Sequence, residues 1–361
     1  MMKMKKRSKG VPVGCYFVFH HQRKLLVFTV ILTLAGIRFK GNTGKLINPE
    51  LGVNVLPLLE EKNGIYPNEL NEISKSTVGR KSTFNNQTLT VTKENEGNSF
   101  SMKIFEKNDI VSNSIRFAGW ERKRVLELNK FFIAHSKNHN LNLSNLTFID
   151  IGANVGWFTF NMAALGVNVL AFEPMKENVQ LIRDSLALSD NVASGVSDRI
   201  TLYPFGLGAK DAICYIYSGD NNVGDGHVKC VENESDVKHQ DDYTIRGRIP
   251  VHRLDDVINI DEEDLHIVAI KMDTEGYEAH VLEGGSKVLL EGGADAILSE
   301  FVKHYIVGKG GDPVQFMKKM GDAEYHVEMG GKSLSTEEMI ARVETNEGFG
   351  GMDITLKKKF N

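Results

Sequence analysis

The stretch Leu146 to Pro174, LTFIDIGANVGWFTFNMAALGVNVLAFEP, constrains this chain more than any other. It begins with an apolar run, Leu146 to Ile151, whose one acidic residue, Asp150, sits near its end, and it breaks at once into Gly152-Ala153-Asn154-Val155-Gly156. That order predicts a buried parallel strand, a tight glycine turn and the first turn of a helix. The helix is expected over Trp157 to Leu165 and stops at Gly166; a second apolar run, Val167 to Phe172, ends in Glu173. The result is a strand-helix-strand unit with an acid at each strand's carboxyl end.

Such units bind nucleotide-like ligands because glycines let the backbone approach the ligand and the helix amino terminus presents free N–H groups. A carboxylate at the tip of the second strand can accept both hydroxyls of a ribose. Glu173 lies seventeen residues past Gly156, near the spacing of about 20 expected of a ribose-binding acid. A dinucleotide fold would show G-x-G-x-x-G after the strand; this chain shows Asp-x-Gly-x-x-x-Gly, one glycine fewer and one carboxylate more. That carboxylate would repel a pyrophosphate but not a cationic sulfonium ligand with an amino-acid tail.

Asp150-Ile151-Gly152-Ala153-Asn154-Val155-Gly156, Phe172-Glu173-Pro174, Arg253-Leu254-Asp255-Asp256 and Lys271-Met272-Asp273-Thr274-Glu275-Gly276-Tyr277-Glu278 follow one another in that order. Together they resemble the FkbM-type S-adenosylmethionine-dependent methyltransferases, over roughly Phe148 to the C-terminus. The resemblance implies an α/β class I methyltransferase fold, a Rossmann-like, mostly parallel sheet flanked by helices. It also implies S-adenosyl-L-methionine as methyl donor and, usually, O-methylation of a hydroxyl on a sugar or secondary metabolite. The expected acceptor is therefore a hydroxyl-bearing sugar or small molecule. On this reading Asp150, Gly152, Asn154, Gly156 and Glu173 form the cofactor cradle. Asp273, Glu275 or His304 supplies the base, with Lys271 tuning it.

The N-terminal region sets a different expectation. Lys3, Lys5, Lys6, Arg7 and Lys9 precede an apolar patch, and Arg23 and Lys24 precede an uncharged run of thirteen residues from Leu25 to Ile37. That is short for a membrane span of about 20 residues and suits a signal-peptide core or short signal anchor. The expectation over 1–45 is a single-pass type II anchor in the Golgi or endoplasmic reticulum, or a secreted protein if the segment is cleaved. A buried or amphipathic helix of a soluble protein and an organelle transit peptide are the other readings. Residues 46–114, rich in Asn, Ser, Thr, Lys and Glu, read as a polar stem with parts that add a strand or helix to the domain edge. The methyltransferase domain is expected over 115–361. Sequons at Asn86, Asn142, Asn145 and Asn233 are consistent with a lumenal location.

Within the domain, Arg116 to Ala134 predicts one amphipathic helix, Met175 to Leu188 another, and Val268 to Met272 the fourth core strand. Ala279 to Leu290 is expected as a helix, Ala294 to Ser299 as the fifth strand, and Glu324 to Val327 with Met352 to Lys357 as closing antiparallel strands. The loop Ser218 to His227, SGDNNVGDGH, reads either as a solvated turn or as a substrate-side lid. Cys214 and Cys230 flank it and either pair, in a lumenal protein, or stay as buried thiols. Asp255 and Asp256 read as helix caps. A formal charge of -4 leaves no nucleic-acid footprint, and no H-E-x-x-H or similar cluster asks for a metal. The competing functions are a non-catalytic lumenal binding protein on the same fold and a nicotinamide-dependent oxidoreductase, which the missing third glycine disfavours.

Overall fold

The computed structural model describes residues 85–91, 97–237, 242–261, 265–345 and 352–358, together with the backbone of four short strands nearer the N-terminus. The chain divides into two compact units, Met1–Tyr66 and Pro67–Asn361. In the first, β1 (Tyr16–His21) pairs antiparallel with β2 (Lys24–Thr29), and β3 (Ile31–Thr33) with β4 (Gly36–Arg38). Within the run Leu25 to Ile37, expected as a signal core or short anchor, the described residues lie in these strands, which suits their β-branched and aromatic side chains. Among the described residues no helix is long and apolar enough to cross a membrane.

The second unit opens with a hairpin, β5 (Asn86–Val91) and β6 (Phe100–Phe105), from the stretch read as a stem. Phe100, Met102, Ile104 and Phe105 of β6 are buried. The hairpin is tied to the rest of the unit by the buried side chain of Asn191, which accepts from Ser101 N (2.9 Å) and donates to Ser101 O (2.6 Å). Helices follow at Ile110–Phe117 and Arg122–His139, where one had been expected. The break falls where Gly119 (φ +83) and Glu121 (φ +43) turn left-handed.

The next strands are β7 (Leu146–Ile151), β8 (Asn168–Phe172), β9 (Ile200–Tyr203), β14 (His266–Met272), β15 (Ala296–Phe301), β16 (Tyr325–Met329), β17 (Lys332–Leu334) and β18 (Met352–Lys358). They form one eight-stranded sheet in the order β17-β16-β18-β15-β14-β7-β8-β9. The five strands from β15 to β9 are mutually parallel, and β16, β17 and β18 pair antiparallel at the other edge. This is the class I methyltransferase fold that the resemblance implies. The chain runs outward from β7 to β9, then returns to the far side of β7 as β14. The strand order therefore reverses between β7 and β14, and an open sheet carries its ligand crevice at such a point.

All six residues of β7 are buried, because the strand has neighbours on both edges and layers on both faces. The helix Trp157–Leu165 is buried at every position, between the sheet and a cover of β6 and the helix Arg122–His139. That explains its lack of a polar face.

A second sheet stands beside the carboxyl end of the first, in the order β10-β13-β11-β12. Its strands are β10 (Gly206–Leu207), β11 (Ala212–Gly219), β12 (Asn222–Lys229) and β13 (Tyr243–His252). The stretch Ser218 to His227 is thus mostly strand, turning only at Asp220 and Asn221. Cys214 and Cys230 form a disulfide across the β11–β12 hairpin.

Candidate active site

The glycine turn after β7 approaches the turn after β14 so closely that only a hydrogen fits between them. A Cβ on Gly152 (φ +80) would stand 1.8 Å from the carbonyl oxygen of Asp273. Gly152 N and Ala153 N both donate to Phe172 O at 3.0 Å, which fixes the turn against the end of β8. Asn154 then adopts a left-handed backbone (φ +54), its own Oδ1 accepting from Val155 N at 2.7 Å. Gly156 (φ +88) precedes the helix Trp157–Leu165, whose amino terminus has no side-chain cap.

Glu173 is 4% exposed and holds this turn in place. Its Oε2 accepts from Asn154 N at 2.7 Å, its Oε1 from Met175 N at 2.8 Å and, more weakly, from Asn178 Nδ2 at 3.4 Å. Burial pushes the Glu173 carboxyl up to about 7, against the pull of those hydrogen bonds. The network extends to the hairpin: Asn154 Nδ2 and Asn178 Nδ2 both donate to Gly224 O, at 3.2 and 2.9 Å. Gly224 N in turn donates to Asp109 Oδ1 at 3.1 Å, while Asp109 Oδ2 caps the helix Ile110–Phe117 at Ser112 N.

The cleft bounded by these elements has a volume of about 220 Å³. Gly152 to Val155 and Glu173 line one wall, Gly224, Asp225 and Gly226 of β12 another, and Lys271, Asp273, Thr274 and Glu275 a third. Phe172, Phe205 and Leu207 add apolar surface, and Ile110, Val111 and Trp120 stand on the side of the N-terminal helices. The residues expected at the site thus converge on the cleft, apart from Gly156, Asp150 and His304, which do not line it. Asp150 lies beneath the turn, 1% exposed, with Oδ2 accepting from Thr159 Oγ1 at 2.6 Å and Oδ1 without a partner. His304 is exposed at the start of the helix Lys303–Gly308, its ring against Tyr305, and is also outside the cleft.

Asp150 faces Lys271 across the β7–β14 pairing. Lys271 Nζ donates to Asp273 Oδ2 at 2.8 Å and lies 5.1 Å from the centre of the Phe158 ring. Burial alone would lower the Lys271 pKa, but the charges of Asp273 and Asp150 outweigh it and push it up. The ammonium is therefore a fixed positive charge at the cleft wall. Burial also raises Asp150, against the charge of Lys271.

The turn after β14 is braced from within by Glu278, wholly buried, whose Oε1 accepts from Thr274 N (2.8 Å), Thr274 Oγ1 (2.9 Å) and Gly276 N (3.3 Å). Glu275 stands left-handed at its apex (φ +53). Burial first, and then the charges of Asp225, Glu300 and Asp273, hold the Glu275 carboxyl far above its usual range. Burial opposes charge on Asp225 too, but the adjoining His227 and Glu275 side chains, and Asn222 donating to it at 3.1 Å, keep it below its ordinary value. Sequence reasoning missed Asp225 and His227; the available signal was their i, i+2 spacing in a Gly-rich segment.

The sequence from 150 to 321 matches the family model for the methyltransferase FkbM domain. Among solved structures, the chain is similar to a methyltransferase FkbM from Methylobacillus flagellatus KT, with 15% identity, a TM-score of 0.36, and 59% of this chain and 44% of that one covered. It is also similar to the bifunctional kinase-methyltransferase WbdD (12%, TM-score 0.35, 65% and 39% covered). A third likeness is to precorrin-6y C5,15-methyltransferase from Geobacter metallireducens GS-15 (12%, TM-score 0.30, 65% and 88%). The aligned part spans less than half of the first two proteins. No curated protein matches the sequence.

The buried acids give the ligand-free protein a distinctive pH response. Burial raises Glu173 and Glu278 to about 7 and Glu300 to about 8, from an ordinary value of 4.5. The fold thus favours their protonated forms, so the stability they contribute is complete below the unfolded value and is lost as pH rises through about 7 to 8. Urea unfolding of the ligand-free protein is expected at a lower midpoint at about pH 8.5 than at about pH 5.5. A midpoint that rises across that interval contradicts the buried-acid account.

Proposed function

Because residues 150–321 match the family model for the methyltransferase FkbM domain, we propose that this protein transfers the methyl group of S-adenosylmethionine to a hydroxyl of a sugar, glycan or other small metabolite. The observation that carries the reading is the close approach of Gly152 to Asp273, which places the cofactor-type turn and the acidic turn on adjoining walls of one cleft. The residues present fit that cofactor. Each Glu173 oxygen accepts one strong bond within the fold and keeps a second lone pair for a ribose hydroxyl. Backbone at Gly152, Asn154 and Gly156 would complete the cradle, with Phe172, Phe205 and Leu207 as its apolar wall. The chemistry supplied by the cofactor when bound is an electrophilic methyl group.

What the chain must add is orientation and a place for the hydroxyl proton. Orientation of donor and acceptor in a closed cleft is worth roughly 7–11 kcal/mol and proton acceptance about 10²–10⁴-fold. Asp273 is the carboxylate suited to meet the acceptor: it lines the cleft and its counter-charge, Lys271, is fixed 2.8 Å away. Burial and the neighbouring acids favour the protonated form of Glu275, which makes it the poorer acceptor. With methyl-labelled cofactor and a panel of sugars, glycans and lipids, Asp273→Asn is expected to lower transfer by about a hundredfold or more. Loss of turnover alone identifies a base, whereas loss of cofactor affinity as well identifies an orienting group. Full turnover in the variant sinks both roles.

We also propose that the enzyme works in an oxidising compartment of the secretory pathway. The Cys214–Cys230 bridge supports this, as do the four sequon asparagines, Asn86, Asn142, Asn145 and Asn233, all exposed. Protein from its native cells should shift in mobility on endoglycosidase treatment. An unshifted protein with both thiols open to alkylation would rule this location out.

A further inference from the structure

Beside the cleft, on the hairpin side of the turn after β14, stands a group of side chains for which methyl transfer has no use. Asp225 and His227 are two residues apart on β12, so the strand's period of two puts both on one side. Glu275 meets them from the turn, and its left-handed backbone is followed by Gly276, which has no room for a side chain: a Cβ there would lie 2.6 Å from the backbone of Tyr305. One ligand-type atom from each of Asp225, His227 and Glu275 lies within 4.8 Å of the other two. A second trio, Asp273, Glu275 and Glu300, meets the same spacing and shares Glu275.

Atoms without partners point to what this group would hold. His227 Nε2 and Glu300 Oε2 are buried with no hydrogen-bond partner. Buried polar atoms are nearly always bonded, so an unpartnered atom in each of two trios that share Glu275 calls for a common explanation. His227 Nε2 is 3.6 Å from Asp225 Oδ2, beyond hydrogen-bonding range. Its ring is held by Tyr217 and Tyr243, each with its centroid 5.6 Å away. The nearby ammonium groups are engaged: Lys271 with Asp273, and Lys309 with Tyr217 Oη (3.1 Å) and Val228 O (2.9 Å).

We propose that Asp225, His227 and Glu275 bind a divalent first-row transition cation, with Asp273 and Glu300 as adjoining carboxylates. Imidazole beside carboxylates suits Mn²⁺, Fe²⁺ or Zn²⁺ better than Mg²⁺ or Ca²⁺, which favour all-oxygen sets. Three protein ligands leave coordination positions open. Asp225 and Glu275 also line the cleft, so a cation held by them would stand at its wall; a use for it there rests on the function proposed above, as the binding itself does not.

Manganese is the probe. Titrated into metal-stripped full-length protein and followed by the EPR signal of the free ion, Mn²⁺ should fill one saturable site. Asp225→Asn and His227→Gln, both close in shape to the native residues, should each weaken binding at least tenfold. Pulsed EPR of the bound ion should show nitrogen coupling from an imidazole that disappears in His227→Gln; if either variant fails to fold, the coupling in the wild type decides. Manganese held normally by a protein that does not take up S-adenosylmethionine supports the cation site while counting against the methyltransferase cleft. Absence of saturable binding, a bound ion without nitrogen coupling, or variants that bind as the wild type does would each overturn the proposal.

Discussion

The carboxylate of Glu173 is the contact on which the site depends. It takes both the N–H of Asn154, in the glycine turn, and that of Met175, at the start of the next helix, and both bonds are short. Because the carboxylate is buried, removing it would leave two backbone donors unpaired, a loss of about 1–3 kcal/mol for each. The constraint propagates. Asn154 and Asn178 reach Gly224 of the hairpin, and Gly224 reaches Asp109 ahead of the first helix. The glycine turn, the hairpin and the N-terminal helices are therefore positioned by one chain of hydrogen bonds with an acid at its root.

Against this stands a second, electrostatic arrangement. Lys271 lies between Asp150 beneath the turn and Asp273 at the cleft wall, and it sets which carboxylate has a permanent counter-charge. The remaining acids, Glu275, Glu278 and Glu300, are crowded into low-dielectric surroundings where burial favours their protonated forms. The two arrangements meet where Gly152 abuts Asp273, a contact that tolerates no side chain. The Cys214–Cys230 bridge then fixes the hairpin that supplies the wall of Gly224 to Gly226.

The parts legible in the sequence were those with local causes. The strand, glycine turn and buried helix of Leu146 to Pro174 follow from an apolar run, three special backbone positions and a second apolar run, and the structure places them within a residue of expectation. What escaped depended on distant partners. β12 reads as a turn because it is rich in glycine; the cause is packing, since a Cβ on Gly224 would lie 2.6 Å from Asp109 and one on Gly226 2.9 Å from Ile216. Asp150 carries the right spacing for a ligand contact, yet its side chain turns to Thr159, a choice no spacing reveals. The helix Thr336–Thr345 was a missed local signal: Ser335 and Glu338 form a reciprocal capping box that the sequence displays.

The central claim, that Glu173 and the glycine turn form a cradle for S-adenosylmethionine, is tested most directly by titration calorimetry with that ligand and with NAD. The account predicts saturable binding of S-adenosylmethionine, none of NAD, and a loss of at least about tenfold in affinity for Glu173→Gln, which keeps the shape of the side chain but not its charge. Equal binding of the two ligands, or S-adenosylmethionine bound by Glu173→Gln as tightly as by the wild type, would contradict it.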